Sequence, residues 1–172
     1  MGELQRRDLR IFGTNSGHFG EIWGHIKDIL EIPKQITTLG SLVCFRCSSI
    51  TSLVIPDSVK GELDYTCTGC TSLRTLTIGA GITAIRRGFL QCISLQTIIF
   101  SPSGALSTIG EYAFSGANLT SLTISSTMRV VGASAFDKAA IKTLTIEPNQ
   151  NLTLAPSAFS TSRLISITTD ML

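Results

Sequence analysis

Residues 119–136 read LTSLTISSTMRVVGASAF, and they contain both halves of a unit that recurs along the chain. The first half is a triad of aliphatic residues with the pattern L-x-x-L-x-I. The copies are Ile50-Leu53-Ile55, Leu73-Leu76-Ile78, Leu95-Ile98-Phe100, Leu119-Leu122-Ile124, Ile141-Leu144-Ile146 and a decaying Leu164-Ile167-Thr169. Their first residues lie 23, 22, 24, 22 and 23 positions apart. An earlier, degenerate copy at Leu30-Glu31-Ile32 raises the count to seven turns between about residue 27 and the C-terminus.

The second half of the unit places an aliphatic residue five positions before a phenylalanine. It recurs as STIGEYAF (107–114), RVVGASAF (129–136) and LTLAPSAF (152–159). A period of 20–29 residues with such a triad is typical of leucine-rich repeats, in which each turn contributes one short strand to a parallel sheet. We therefore predict an α/β solenoid over residues 27–172, with a curved parallel β-sheet and one strand per turn of 22–24 residues.

The details of the unit resemble one particular family. The unit at 119–136, together with IPDSV (55–59) and CTSL (70–73), is similar to the BspA-type leucine-rich repeats of bacterial and protist surface proteins. The last three units depart from that pattern because they lack its cysteine. The resemblance implies adhesion or recognition of a protein partner at the cell surface or outside the cell, without catalysis or a cofactor.

Composition limits the other classes of function. The net charge is only +2, and charged residues make up 15% of the 172 residues, so the sequence gives no electrostatic case for binding nucleic acid. No apolar stretch approaches the ~18 residues of a membrane span. The N-terminus MGELQRRDLRIFG lacks the apolar segment of a signal peptide, which predicts a cytoplasmic protein if the chain as given is complete.

Four cysteines have the spacing of a zinc site. Cys44, Cys47, Cys67 and Cys70 form a CxxC-x19-CxxC pattern. In the register of the repeat, however, Cys47, Cys70 and Cys92 each precede a triad by three residues, and Cys44 and Cys67 stand where the next unit has Phe89. Because free cysteine behaves as a small apolar residue, we expect a structural core and no metal. A zinc site and a disulfide between successive turns remain as alternatives.

No group of residues suits catalysis. The two histidines, His18 and His25, both precede the repeats, and no nucleophile, metalloprotease or phosphate-binding motif occurs. The sequence therefore predicts a protein that is not an enzyme.

Both ends of an open solenoid need a cover. Residues 1–26 match the repeat poorly, and Phe19, Ile22, Trp23 and Ile26 recur at helical spacing, so we expect an N-terminal cap with a helical pattern. Gly20 and Gly24 weaken that helix. The other end, LISITTDML (164–172), has no polar cap after its strand. We expect it to dock on a partner or on a missing segment.

The residues beside the middle aliphatic position of each triad point outward, because side chains alternate along a strand. They form two ladders, one with Ser52, Thr75, Thr97, Ser121, Thr143 and Ser166 and the other with Val54, Thr77, Ile99, Thr123, Thr145 and Thr168. We call this surface the Ser/Thr face. A solenoid of this kind places it on the concave side, where partners commonly bind. The candidate protein-binding residues are Arg74, Thr75, Thr77, Gln96, Thr97, Ile99, Thr120, Thr123, Lys142, Thr143 and Thr145.

Strand propensity is an alternative origin of the Ser/Thr face. Threonine has a high propensity for exposed strands, and that alone can produce the ladders. The runner-up function is an intracellular scaffold or a structural subunit of a larger assembly. A more remote alternative is an ice-binding surface, against which the variable spacing of 22–24 residues counts.

Overall fold

The computed structural model describes residues 28–169, which form twelve short strands in three parallel sheets. One side of the solenoid carries the triads, and we call its members the triad strands: β1 (Asp28–Glu31), β2 (Ile50–Ile55), β4 (Thr75–Ile78), β6 (Thr97–Phe100), β8 (Ser121–Ile124), β10 (Thr143–Ile146) and β12 (Ser166–Thr169). The opposite side carries the outer strands: β3 (Gly61–Asp64), β5 (Ile82–Arg86), β7 (Thr108–Ile109), β9 (Val130–Val131) and β11 (Thr153–Leu154).

The register of the triad strands follows the repeat. Leu53 pairs with Leu76, and Leu76 pairs with Ile98. Leu144 pairs in the same way with Leu122 on one side and with Ile167 on the other. Each of these strands is therefore stacked on the equivalent strand of a neighbouring turn, and the predicted leucine-rich-repeat solenoid is confirmed. The expectation of one strand per turn is corrected, because the outer strands add a second strand to most of the described turns.

The core of the coil is filled by aliphatic residues of the triads and by a row of phenylalanines. Phe89, Phe114 and Phe136 are fully buried. Their rings stack at centroid distances of 5.5 and 5.6 Å, and Phe159 continues the row at 5.2 Å from Phe136. Rings stack almost parallel because each turn presents the same residue one strand spacing, about 4.8 Å, further along the axis. Such pairs contribute about 0.5–1.5 kcal/mol beyond the apolar area that they bury.

The far side of each turn is a short strand followed by tight turns, and residues 28–169 contain no helix. The tight turns place equivalent residues in the left-handed region of backbone conformation, with φ near +50° at Tyr65, Arg87 and Tyr112. A second column of residues with positive φ follows four positions later. Gly69 and Gly116 belong to it, and because glycine has no Cβ it adopts this left-handed conformation without steric strain.

The sheet of triad strands is broken once. Its strands are paired in the order β1-β2-β4-β6 and in the order β8-β10-β12, but β6 and β8 are not paired with each other. The outer sheet is continuous from β3 to β11, and the Phe89–Phe114 stack crosses the same point. The solenoid therefore stays joined on its outer side and opens on its triad side.

The break has a cause in chain length. The equivalent residues Ile109 and Val131 are paired in the outer sheet. From Cys92 to Ile109 the chain advances 17 positions, whereas from Ala117 to Val131 it advances only 14. Corresponding stretches of the other turns span 15 or 16 positions, so the longest stretch lies beside the shortest. Because both are anchored at their ends, we attribute the separation of β6 from β8 to this mismatch.

The predicted N-terminal cap, residues 1–26, lies outside the described residues. In the part of the chain that the structure describes, no helix has the length and apolar character needed to cross a membrane.

Candidate protein-binding face

The outward side chains of the triad strands align as the sequence predicts. Ser52, Thr75 and Thr97 pair in one row, and Thr143 lies between Ser121 and Ser166 in the corresponding row of the second sheet. The second ladder aligns in the same way, with Thr77 between Val54 and Ile99. Hydrogen bonds along the backbone hold these rows in place, so their hydroxyl groups are displayed on a rigid support.

The candidate residues all lie on triad strands or at the residue or two before a strand. Thr75, Thr77 and Thr145 are half-buried, whereas the other eight are exposed: Arg74, Gln96, Thr97, Ile99, Thr120, Thr123, Lys142 and Thr143. At the strand entrance, the carbonyl of Arg74 accepts hydrogen bonds from the N–H groups of Gln96 and Thr97 at 2.9 and 3.1 Å. The ladder positions next to the break in the sheet are thus more exposed than those on β4.

The break divides the candidates between two sheets. The residues of the first sheet end with Ile99, whose side chain is 50% exposed, and those of the second begin with Thr120. The middle triad residue Ile98 is half-buried, although its counterparts Leu76 and Leu144 are only 0% and 2% exposed. The centre of the Ser/Thr face therefore carries an apolar opening that the repeat pattern does not show.

The Ser/Thr face also extends one strand further than predicted. On β1, Ile29 pairs with Ser52 and Glu31 pairs with Val54. Ile29 is 59% exposed, so it adds an apolar side chain to the N-terminal end of the face. The degenerate copy of the triad around Leu30 is the signal from which both residues could have been found.

Few charges lie on this face. Its cationic side chains are Arg74 and Lys142, while the ion pairs of the described residues lie elsewhere, between Arg86 and Glu62 at 3.5 Å and between Arg87 and Glu111. Hydroxyl groups, backbone groups and exposed isoleucines are therefore the means by which the face can contact another molecule.

A second surface does not follow from the triad pattern. Tyr65, Arg87 and Tyr112 occupy equivalent positions on the outer turns, and the guanidinium of Arg87 lies 5.5 Å from the ring centre of Tyr65. Arg87 also pairs with Glu111. Tyrosine and arginine are common in interface hot spots. Their spacing of 22 and 25 positions is the signal that would have revealed this column.

The five cysteines form a buried row of free thiols inside the N-terminal turns. The thiol of Cys70 donates a hydrogen bond to the carbonyl of Cys44 at 2.9 Å, and the thiol of Cys92 donates to the carbonyl of Cys67 at 3.2 Å. Burial raises the pKa of the Cys67 thiol, and the hydrogen bond that Cys47 donates to Cys44 raises the pKa of Cys47. These thiols pack in the core and satisfy backbone groups of the preceding turn.

The sequence predicts no metal site, and the zinc alternative is a matter for experiment. Among residues 28–169, no three side chains of His, Cys, Asp or Glu are arranged to hold a metal ion. The disulfide alternative is not realised in the structure, where all five thiols are free.

The stacked parallel strands and the repeated core place the chain in the class of leucine-rich-repeat solenoids. Its sequence matches the BspA type leucine rich repeat region in six copies, over residues 23–88 and 86–171. The chain belongs to this family.

Solved structures agree on the fold. A leucine-rich repeat protein from Eubacterium ventriosum has a TM-score of 0.69 at 16% identity, covering 83% of this chain and 39% of its own. One from Bacteroides ovatus has a TM-score of 0.60 at 20% identity, covering 77% and 43%. The T. pallidum Leucine Rich Repeat protein has a TM-score of 0.57 at 20% identity, covering 73% and 67%. The chain thus spans less than half of the first two structures. No curated protein matches the sequence.

Proposed function

We propose that the chain is a protein-binding module without catalytic activity, and that it binds its partner through the Ser/Thr face in adhesion or recognition at the cell surface. The observation that carries this proposal is the exposed, uncharged centre of the face, where Ile99 is 50% exposed among threonines and serines. An exposed apolar side chain on a rigid sheet offers area to a partner at little entropic cost. The surface location rests on membership of the BspA-type family.

The chemistry of the face favours a protein over other partners. Its hydroxyl groups and isoleucines suit a mixed polar and apolar protein surface, whereas two cations, Arg74 and Lys142, are too few for a nucleic acid or an anionic membrane. Because no aromatic residue lies on the ladders, affinity depends on many small contacts or on several copies of the module.

Charge substitution on the face tests this proposal. Thr97→Arg and Thr143→Arg each place a bulky cation on an exposed strand position. Thr83→Arg is the matched control, because Thr83 is exposed on the outer strand β5. In affinity capture from the source cell's surface fraction, we expect partners recovered by the wild type and by the control to be lost with both face variants. Equal recovery by all of these proteins would contradict the proposal.

An intracellular scaffold or structural subunit is the second candidate. The supporting observation is β12, on which all four residues are exposed, with Ile167 58% exposed and the preceding Ile165 79% exposed. Within the described sheet β12 pairs only with β10, and a strand with apolar side chains of this kind suits a contact in an assembly. Fractionation of the source cell separates the two candidates, since a scaffold would be recovered from the soluble interior at a large, constant mass.

A further inference from the structure

The break between β6 and β8 is wider than the spacing of two directly paired strands. Nearly all the Cα atoms of β6 lie more than 8 Å from those of β8, whereas directly paired strands lie about 4.8 Å apart and strands separated by a third lie about 9.6 Å apart. We call this opening the β6–β8 gap.

The backbone of β6 presents unpaired groups to the gap. Successive residues of a strand direct their N–H and C=O groups to opposite sides. The N–H groups of Thr97 and Ser101 donate to β4, at the carbonyls of Arg74 and Ile78. The residues between them at alternate positions, Ile98 and Phe100, therefore direct their backbone groups into the gap.

The backbone of β8 faces the gap in the same way. The carbonyls of Thr120 and Ile124 accept hydrogen bonds from β10, at the N–H groups of Thr143 and Glu147. The alternation then directs the backbone groups of Ser121 and Thr123 into the gap. Two strand edges with unpaired donors and acceptors thus face each other.

The side chains around the gap define what can fill it. The inward-pointing Ile98 and Phe100 are both half-buried instead of fully buried, so an occupant must supply apolar side chains on that side. The outward neighbours Thr97, Ser121 and Thr123 are exposed and uncharged, so the other side of the occupant requires small or hydroxyl residues. An uncharged strand with alternating aliphatic and Ser/Thr residues satisfies both demands.

We infer that the β6–β8 gap accepts an extended segment of the partner protein, which inserts as an additional strand and hydrogen-bonds to both edges. Main-chain pairing supplies the affinity in this mode of recognition, and the alternating side chains supply specificity. The inference rests on the proposed function and names the way in which the Ser/Thr face binds its partner.

A peptide that copies one of the protein's own triad strands is a suitable probe, because the triad strands have the required alternation. The probe is LTSLTISS, the sequence of residues 119–126, with a lysine added at each end for solubility. The control peptide carries N-methyl groups at its central Leu and Thr, which remove two N–H donors and keep every side chain. Calorimetry should detect binding of the first peptide to the full chain and at least about tenfold weaker binding of the second.

Substitutions in the protein locate the binding site. Thr123→Pro removes a gap-facing N–H without touching the β8–β10 pairing or the core, and proline is tolerated at an unpaired strand edge. Thr123→Val is the matched control, because it removes the hydroxyl and retains the N–H. We expect Thr123→Pro to weaken peptide binding by about tenfold, and Thr123→Val to weaken it by less because the main-chain donor remains. Unchanged circular dichroism and melting temperature of both variants establish that they fold.

Hydrogen exchange gives a second measurement on the wild type. The peptide should slow exchange at the amides of Ile98, Phe100, Ser121 and Thr123 and leave those of Thr97 and Thr145 unchanged. The inference is overturned by the absence of peptide binding, by equal binding of the N-methylated peptide, or by indifference to Thr123→Pro. It is also overturned if the wild type alone dimerises and Thr123→Pro restores the monomer, since a second copy would then fill the gap. The proposed function survives each of these results if Thr97→Arg still abolishes partner capture.

Discussion

Replacement of Phe114 by alanine should be among the most destabilising single changes in the chain. Phe114 is 0% exposed, and its ring lies between those of Phe89 and Phe136 at 5.5 and 5.6 Å. A buried Phe→Ala change costs about 3–5 kcal/mol, and two lost stacking contacts of about 0.5–1.5 kcal/mol each place this case at the upper end of that range. Domains of this size have a free energy of unfolding of only about 5–15 kcal/mol, so Phe114→Ala can unfold the chain altogether. Phe114→Leu is the milder variant, with an expected loss of about 1.5–3 kcal/mol in the free energy of unfolding.

The row of rings offers its own control. Phe159 is half-buried and stacks on one described neighbour, Phe136, at 5.2 Å. Phe159→Ala should therefore cost about half as much as Phe114→Ala. Urea denaturation followed by circular dichroism measures the free energies of unfolding. An equal loss in the two alanine variants, or no loss in Phe114→Leu, would refute the assignment of the phenylalanine row as the centre of the core.

Three further predictions concern the thiol row. Cys70→Ala should cost about 1–2 kcal/mol, because it leaves a small cavity and removes one of the two hydrogen bonds that the Cys44 carbonyl accepts, the other coming from the N–H of Cys47. Cys70→Ser should cost less, because a hydroxyl can still donate to that carbonyl. Equal losses in urea denaturation would contradict this role of the thiol. Burial raises the pKa of Cys67 above its usual value near 9, so the unfolded chain loses this proton first and stability should fall as the pH rises through 9 and above. Cys67→Ala should flatten that fall, and an unchanged pH profile would argue against the assignment. Elemental analysis of the purified protein should find no zinc, and one bound equivalent would overturn the structural interpretation of Cys44, Cys47, Cys67 and Cys70.

The triads could be predicted from the sequence because burial on one side of a short strand imposes a strict pattern. A residue such as Leu76 must be aliphatic to fill the coil, and the same demand returns at every turn. The pairing of Leu76 with Leu53 and Ile98 follows from that pattern alone. The Ser/Thr ladders follow as well, because side chains alternate along a strand and the neighbours of an inward-pointing residue must point outward.

The β6–β8 gap could not be predicted from the triads, since their spacing of 24 residues at this point differs little from that of other turns. The difference lies elsewhere in the turns. Compared with the equivalent stretches of the other turns, the chain is longer between Cys92 and Ile109 and shorter between Ala117 and Val131. Their effect depends on which residues are anchored, and the pairing of Ile109 with Val131 becomes known only from the structure. The column of Tyr65, Arg87 and Tyr112 could not be predicted for a related reason. Its members differ in side-chain chemistry and share only their position in the turn.

Partner binding through the Ser/Thr face is the central claim, and site-specific photocrosslinking tests it most directly. A photoreactive phenylalanine derivative placed at Thr97 lies on an exposed position of the face, and one at Thr83 lies on the exposed opposite side. Both variants are expressed in the source cell, irradiated, and analysed by mass spectrometry. Binding through the face predicts a crosslinked partner protein from position 97 and none from position 83. Crosslinks from position 83 alone would contradict it.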